Sequence, residues 1–372
     1  MKYIFSSFAL CLIVSWTSES TAQTVDQAAE AATKKLFDAQ SIGIELKLQG
    51  EYVGKEGDKA IAAQVVARGD KAFHVLVLEG GLPGAGWDGG RYAILESAPL
   101  TNGRVEFRSP TDDGASAVLD ENGLTLKRGE RKGLLKRVER KSETLGLKPP
   151  AGAIVLFGGA APNMDAFEER KDIEGMTSPM MFEGNMLAGA VTKRRFKDYT
   201  MHVEFMTGWE PQNIPWRRAD AGIYMLSRYE VAIGDSFGFD FDLSGATSPS
   251  RPKLLDEKIP SKFPVPKGNN APRVCGSVFT YPSTVPNSCL PPLVWQTLDI
   301  DFTAPRFDDS NKKTSKAVIS VKLNGHQTVD KLEVNGPTPH GFKGPETADG
   351  PIWFEAFGRR VIYRNIWVVE KL

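Results

Sequence analysis

Asp220–Ser236, DAGIYMLSRYEVAIGDS, reads as two short strands on either side of a turn, and its pattern decides the fold class. In its second half the apolar Tyr229, Val231 and Ile233 alternate with Arg228, Glu230 and Ala232, the period-two signature of a strand with one face buried. Arg228 and Glu230 are therefore expected on the same, solvent-facing side. A face that presents a guanidinium and a carboxylate together is a candidate ligand face.

The same alternation recurs on both sides of this stretch. Downstream it returns in WQTLDIDF (Trp295–Phe302), AVISVKLNG, PIWFEAF and VIYRNIWVV (Val361–Val369), and upstream in MLAGAVTKRRF and TMHVEFMT. A second group of alternating runs, IELKLQGEYVG, AIAAQVVARG, KAFHVLVLEG, RYAILES, RVEFRSP and ASAVLDENGLTLKRG, fills the segment from Gly43 to Thr144. With 36 Gly and 24 Pro punctuating these runs, the chain is predicted to be all-β. Its 372 residues exceed one ordinary domain, so two cores are expected. Pro149-Pro150 cannot continue a ladder and marks the linker. The predicted organisation is a signal peptide over 1–22, a helical lead-in over 23–42, a small antiparallel β domain over 43–147, a linker over 148–153 and a larger sandwich over 154–372. Many short antiparallel strands close most economically as a two-sheet jelly roll.

Composition narrows the partners. Lys plus Arg and Asp plus Glu both number 46, so no global field draws this chain to nucleic acid or an anionic membrane. Lys2, the apolar run Tyr3–Trp16 and the small residues Ser20-Thr21-Ala22 form an export signal, too short to remain as a membrane anchor. The protein is expected to be exported, to the periplasm, the cell surface or the medium. Cleavage leaves Cys275 and Cys289, an even pair in a compartment where disulfides persist, and a bridge between them is predicted.

Two other biased stretches read as structural. GGLPGAGWDGG (Gly80–Gly90) lacks the Lys-Ser/Thr of a phosphate loop and is a shaped turn around Trp87. The charged run Lys127–Lys148 reads as a protected strand surface. The aspartates of DIDFTAPRFDDS (Asp299, Asp301, Asp308, Asp309) and Asp235, Asp240 and Asp242 are ligand types that suit a divalent cation. Neither group has EF-hand spacing, so both read as solvated acidic turns and no cofactor is assigned. Trp209 and Trp216, in WEPQNIPWRR, either stack on a sugar at a cleft rim or pin the loop by burial. Glu204, Glu230, Asp235 and Arg228 are the candidate acid, base and charge-binding groups, with an ion-pair network as the alternative.

Several motifs in order carry a resemblance: Leu156-Phe157 with Gly158, His202-Val203-Glu204-Phe205, Gly222-Ile223-Tyr224, Arg228-Tyr229-Glu230-Val231, Asp235-Ser236, Cys275-Gly276 with Cys289, Trp295-Gln296, Asn324-Gly325 and Arg364-Asn365-Ile366-Trp367. On these the chain resembles the secreted 3-keto-disaccharide hydrolases, also described as 3-keto-glucoside lyase/hydratases. The resemblance implies a concanavalin A-like sandwich with a concave face for carbohydrate. It also implies action on glucosides oxidised at C3, where the ketone acidifies the C2 proton and lets the C1 substituent leave. In that frame Glu230, Asp235 and Glu204 are expected to be catalytic. Arg228, Tyr224, Asp220, Glu355, Arg364, Trp209 and Trp216 are expected to contact the sugar. The chain departs from the pattern at Asp220-Ala221, at Ala232, at Val329 and across Phe354–Gly358, where the family carries amides and imidazoles. A relative that binds carbohydrate or a protein through the same face, without turnover, is the alternative reading.

Overall fold

A computed structural model describes residues 30–87, 92–109, 114–159, 164–169, 180–187, 189–213, 217–238, 274–279, 281, 287–355 and 360–371. The signal segment lies outside the described residues. The lead-in is helical, as α1 (30–37), α2 (Ala39–Ile42) and α3 (Ile44–Leu48). Asp38 caps α2 by accepting from the Gln40 and Ser41 amides at 3.1 and 3.2 Å. IELKL, expected to open the β domain as a strand, is α3 instead. A five-residue alternation also places Ile44 and Leu48 four apart, and Leu48 is the one that enters a core.

That core belongs to a barrel. Strands β1 (Gly50–Glu56), β2 (Lys59–Gly69), β3 (Ala72–Glu79), β4 (Tyr92–Ser97), β5 (Val105–Arg108), β6 (Ala115–Asp120), β7 (Gly123–Arg128) and β8 (Arg131–Val138) each pair antiparallel with the next, and β8 returns to β1. Closure leaves the ring without a free edge. Tyr52, Val65, Phe73, Val75, Leu95, Phe107, Leu119 and Leu124 fill the interior. The Gly80–Trp87 turn folds outside the wall, where Trp87 and Leu82 pack on Ala62, Leu76 and Leu78. A side chain at Gly81 would lie 2.3 Å from the Ala85 carbonyl, so this turn needs glycine there. The charged run is ion-paired to the wall: Arg128 meets Glu56 at 3.0 Å, and Arg140 meets the buried Glu51.

The rest of the chain forms two sheets. The larger contains β9 (Ile154–Phe157), β11 (Met180–Phe182), β12 (Asn185–Leu187), β14 (Tyr199–Thr207), β17 (Gln296–Thr303), β18 (Ala317–Leu323), β19 (His326–Val334) and β21 (Val361–Glu370). Its order is β11-β12-β21-β14-β17-β18-β19, with β9 also on β21. The smaller runs β10 (Phe167–Glu168), β13 (Ala190–Phe196), β20 (Gly350–Phe354), β15 (Ala221–Met225) and β16 (Tyr229–Ile233). One apolar core draws on both, with Val203, Phe205, Ile300, Ile319, Tyr363 and Val368 from the large sheet and Ile223, Met225, Val231, Ile352 and Phe354 from the small one. The fold is all-β, with a sandwich following the barrel.

Among the described residues no strand pairs across barrel and sandwich. Side chains join them instead. Residues after β8 lie on the large sheet, with Ser142 bonded to Thr297 and Thr144 bonded to Thr297 and to Asp299. On another side the β2–β3 wall meets the sandwich through Ala67, whose carbonyl accepts from Arg218 at 3.4 Å, and through His74, whose Nε2 is 3.3 Å from the Gly238 carbonyl.

Candidate functional site

The small sheet has one face in the core and one turned away from it, and strand alternation sorts the signature between them. Ala221, Ile223, Met225, Tyr229, Val231, Ile233, Ile352 and Phe354 enter the core. Gly222, Tyr224, Glu230, Ala232 and Trp353 take the other face. Register sets them in rows, because Tyr224 is opposite Glu230 on one side and Trp353 on the other, while Gly222 is opposite Ala232. The Tyr224 and Trp353 rings stack with centroids 4.4 Å apart, and the Tyr224 hydroxyl donates to Glu230 Oε2 at 2.8 Å.

Beside that aromatic and acidic row lies one made of Gly222 and Ala232, with no side chain larger than a methyl. A Cβ on Gly222 would come within 2.8 Å of Glu230 Cγ and 3.0 Å of its Oε1. The Glu230 carboxylate therefore rests over bare backbone. Glu355 joins at the end of the row, its amide donating to the Gly222 carbonyl at 2.9 Å.

The strand is not half-exposed as its alternation suggested. All of Tyr229–Ile233 is buried, and Glu230 completely so. The reason is that β16 has no free edge. Val231 pairs with Val278, Phe279 N donates to the Glu230 carbonyl at 3.1 Å, and the Glu230 amide donates to the Thr338 hydroxyl at 3.0 Å. Arg228 likewise does not stand on the face as an exposed cation. It sits in the turn before β16, nearly buried, donating to the Leu226 and Pro345 carbonyls at 3.1 and 2.5 Å and lying 5.0 Å over the Phe342 ring.

Asp235 follows β16 at the seam with the barrel. It accepts from the Phe237 amide at 3.2 Å and faces Arg218 Nη1 at 3.8 Å. Burial pushes its carboxyl up to about 6, against the opposing pull of Arg218 and the Phe237 amide. Arg218 is buried too, and donates to the Asn213 and Pro211 carbonyls as well as to Ala67.

Glu204 and Arg364 do not join this group, which corrects the expectation of one site holding all the acids. They lie together on the outer face of the large sheet, the opposite side of the sandwich. An extra residue in β21, where the four positions from Arg364 to Trp367 oppose the three from Glu204 to His202, puts Asn365 at φ 45° and turns it toward Glu204. Glu204 then accepts from Arg364 Nε (2.7 Å), Asn365 Nδ2 (2.9 Å) and the Gly146 amide (2.7 Å). Burial alone would raise its carboxyl, but the nearby His202 ring, 3.9 Å away, and the hydrogen bonds from Asn365, Arg364 and Gly146 hold it at about 2. His202 stacks on Trp367 and meets Asp299 at 2.6 Å. This is a clasp for the segment after the barrel.

The remaining expectations divide. Asp220 is half-buried where the chain enters β15. Trp209 is half-buried against the barrel core, its amide donating to the Leu36 carbonyl, so it packs the seam and is not at the Tyr224–Glu230 row. Trp216 lies outside the described residues, as do Asp240 and Asp242. Val329, where an imidazole was expected, is buried in the sandwich core. Cys275 and Cys289 are free buried thiols rather than a disulfide. Cys289 Sγ is within 3.7 Å of the Gly234 carbonyl and 3.4 Å of its neighbour Leu290's, so backbone acceptors satisfy it without a bridge, while burial and the adjacent Cys289 push the Cys275 thiol up.

No group of three or more metal-ligating side chains occurs among the described residues. An open groove of about 570 Å³ runs along the outer face of the large sheet, lined in part by Asp299, Asp301, Lys322 and Trp367. Two of its acids are already engaged, Asp299 by His202 and Thr144 and Asp301 by Lys371. Two members of the small-sheet face were not among the expected site residues, although Gly222 stood in the Gly222-Ile223-Tyr224 motif. Trp353 was signalled by its place between the core-facing Ile352 and Phe354, and Gly222 by register alone.

Residues 152–369 match the family described as the 3-keto-alpha-glucoside-1,2-lyase-like domain. Among solved structures, two glycosyl hydrolase candidates from Parabacteroides distasonis are similar. One shares 22% identity over 60% of this chain and 85% of its own, with a TM-score of 0.44, and the other 11% over 59% and 94%, with a TM-score of 0.36. No curated protein matches the chain.

Proposed function

Because the chain belongs to the 3-keto-alpha-glucoside-1,2-lyase-like family, we propose that it is a carbohydrate-active enzyme that cleaves glucosides already oxidised at C3, working on the outer face of the small sheet. The observation that carries this reading is the Tyr224–Glu230 pair at 2.8 Å, stacked on Trp353 and set over the bare Gly222. Glu230 takes the C2 proton that the C3 ketone acidifies, and the C1–O bond breaks as the C1–C2 double bond forms. The leaving alcohol takes a proton from Asp235, whose carboxyl at about 6 suits an acid working near neutrality. Water then adds across the double bond, giving a 3-keto sugar. Once Glu230 holds the C2 proton it can donate to the Tyr224 oxygen, which frees the single Tyr224 hydroxyl proton, given to Glu230 at rest, to answer the charge developing on the C3 oxygen; Glu355 and Asp220 are read as sugar contacts. The finer topology is read as a concanavalin A-like jelly roll, and the protein as exported.

The test is aglycone release from a panel of 3-keto-glycosides. Wild type is expected to turn over at least one, and Glu230→Gln, which removes charge and preserves shape, to lose activity with a nearly unchanged Tm. Undiminished turnover by the variant would contradict the assignment. A second reading, a relative that binds sugar without cleaving it, is favoured by Ala232. Beside Glu230 on the same face, it offers no group to hydrogen-bond a sugar. It predicts no turnover by wild type, with saturable sugar binding that weakens in Glu230→Gln.

A further inference from the structure

We infer that the barrel is a working part of this site and that Arg218, gripped from the barrel side, is a positioning residue for Asp235; the second half of this rests on the reading of Asp235 as the proton donor. The turn Gly234–Gly238 is held between two supports. On one side Asp235 N donates to the Arg218 carbonyl at 2.9 Å, and the Arg218 guanidinium spans from Asp235 (3.8 Å) to the carbonyls of Ala67 in β2 and of Pro211 and Asn213. On the other side Gly238 lies against the barrel wall. A Cβ there would fall 2.2 Å from Val66 Cγ2, and His74 Nε2 reaches the Gly238 carbonyl. Adjacent barrel residues thus touch the Gly238 end of this segment directly, and hold its Asp235 end through Arg218.

Arg218 has little freedom to drift. The loop that holds it is itself fixed, with Glu210 accepting from the Ala219 amide at 2.7 Å and pairing with Arg360 at 3.2 Å. Charged and titratable groups surround the pair on every side: Glu210 from the loop, Arg68 and the neutral His74 from the barrel, and the neutral thiol of Cys275 from the segment after the turn. The barrel contributes a cation beside Arg218, Arg68, while burial and the two arginines hold His74 neutral, its imidazole lowered to about 3, so the barrel bears on the electrostatics as well as the position of the turn. A free-standing accessory domain would leave Asp235 and Arg218 unsupported on this side.

Two arms test this on the full chain. In hydrogen exchange, His74→Ala and Val66→Ala are expected to speed exchange of the 234–238 amides about ten-fold or more, while β17 exchange stays at the wild-type rate as a control for folding. Unchanged 234–238 exchange in both variants would overturn the barrel's role, whether or not the protein turns over a 3-keto-glycoside. In the kinetic arm, Arg218→Gln removes a charge that favours ionised Asp235. The alkaline limb of kcat/KM is expected to move to higher pH and to return toward wild type in Arg218→Lys. A limb that stays in place in a folded Arg218→Gln would overturn the positioning role. A wild type without turnover would remove the reading of Asp235 as proton donor, and leave the exchange result to decide the coupling of barrel and turn.

Discussion

Gly222 shows how one missing side chain shapes this site. Its backbone is ordinary, and the requirement is space, because Glu230 Cγ and the Tyr224 ring both lie within 3.0 Å of where a Cβ would stand. Gly222→Ala is expected to push Glu230 off the Tyr224 hydroxyl and cost about 1–3 kcal/mol, as overpacking does in a filled interior. Denaturant melts of the variant measure this, and a variant as stable as wild type with full activity would show that Glu230 does not need the gap. Burial rather than alternation set the limit at this scale. The sequence made Glu230 and Tyr224 recognisable, but their mutual contact depends on cross-strand register that no local pattern contains. Arg228 was misplaced for the same reason, since its partners Pro345 and Phe342 come from a loop more than a hundred residues later.

At the scale of elements, period-two patterns located most of the strands that build the barrel and the sandwich. They failed where length was short or irregular, as in α3, whose five residues satisfy strand and helix alike. The bulge in β21 was also hidden, although Asn at its φ of 45° is the residue type that tolerates it. Asn365→Val, β-branched and strained there, is expected to flatten the bulge, strip one bond from Glu204 and cost about 1–3 kcal/mol. Thermal unfolding checks it, and an unchanged Tm would mean that the clasp does not depend on the bulge. The burial of β16 could not be read from its own residues, because the covering comes from Val278, Phe279 and Thr338.

Across the whole molecule, the barrel and sandwich are locked by polar groups on two separate faces, the Glu204 clasp and the Arg218 seam. The clasp makes stability depend on acid. Glu204 titrates near 4.5 when unfolded and at about 2 when folded, so its contribution is complete above about 4.5 and is lost as pH falls toward 2. The loss is at most about 3 kcal/mol. Glu204→Gln is expected to lower stability at pH 7 and to flatten the acid limb of a stability–pH curve, and an unchanged limb would contradict the clasp. What the sequence could not convey is that the two halves meet at Asp235. The central claim remains that the small-sheet face removes a C2 proton from a 3-keto-glucoside. Its most direct test is the rate of aglycone release from substrate carrying deuterium at C2 compared with the unlabelled compound. A primary isotope effect in the wild type, with release abolished in Glu230→Gln, is the predicted result; release with no isotope effect and no dependence on Glu230 would contradict it.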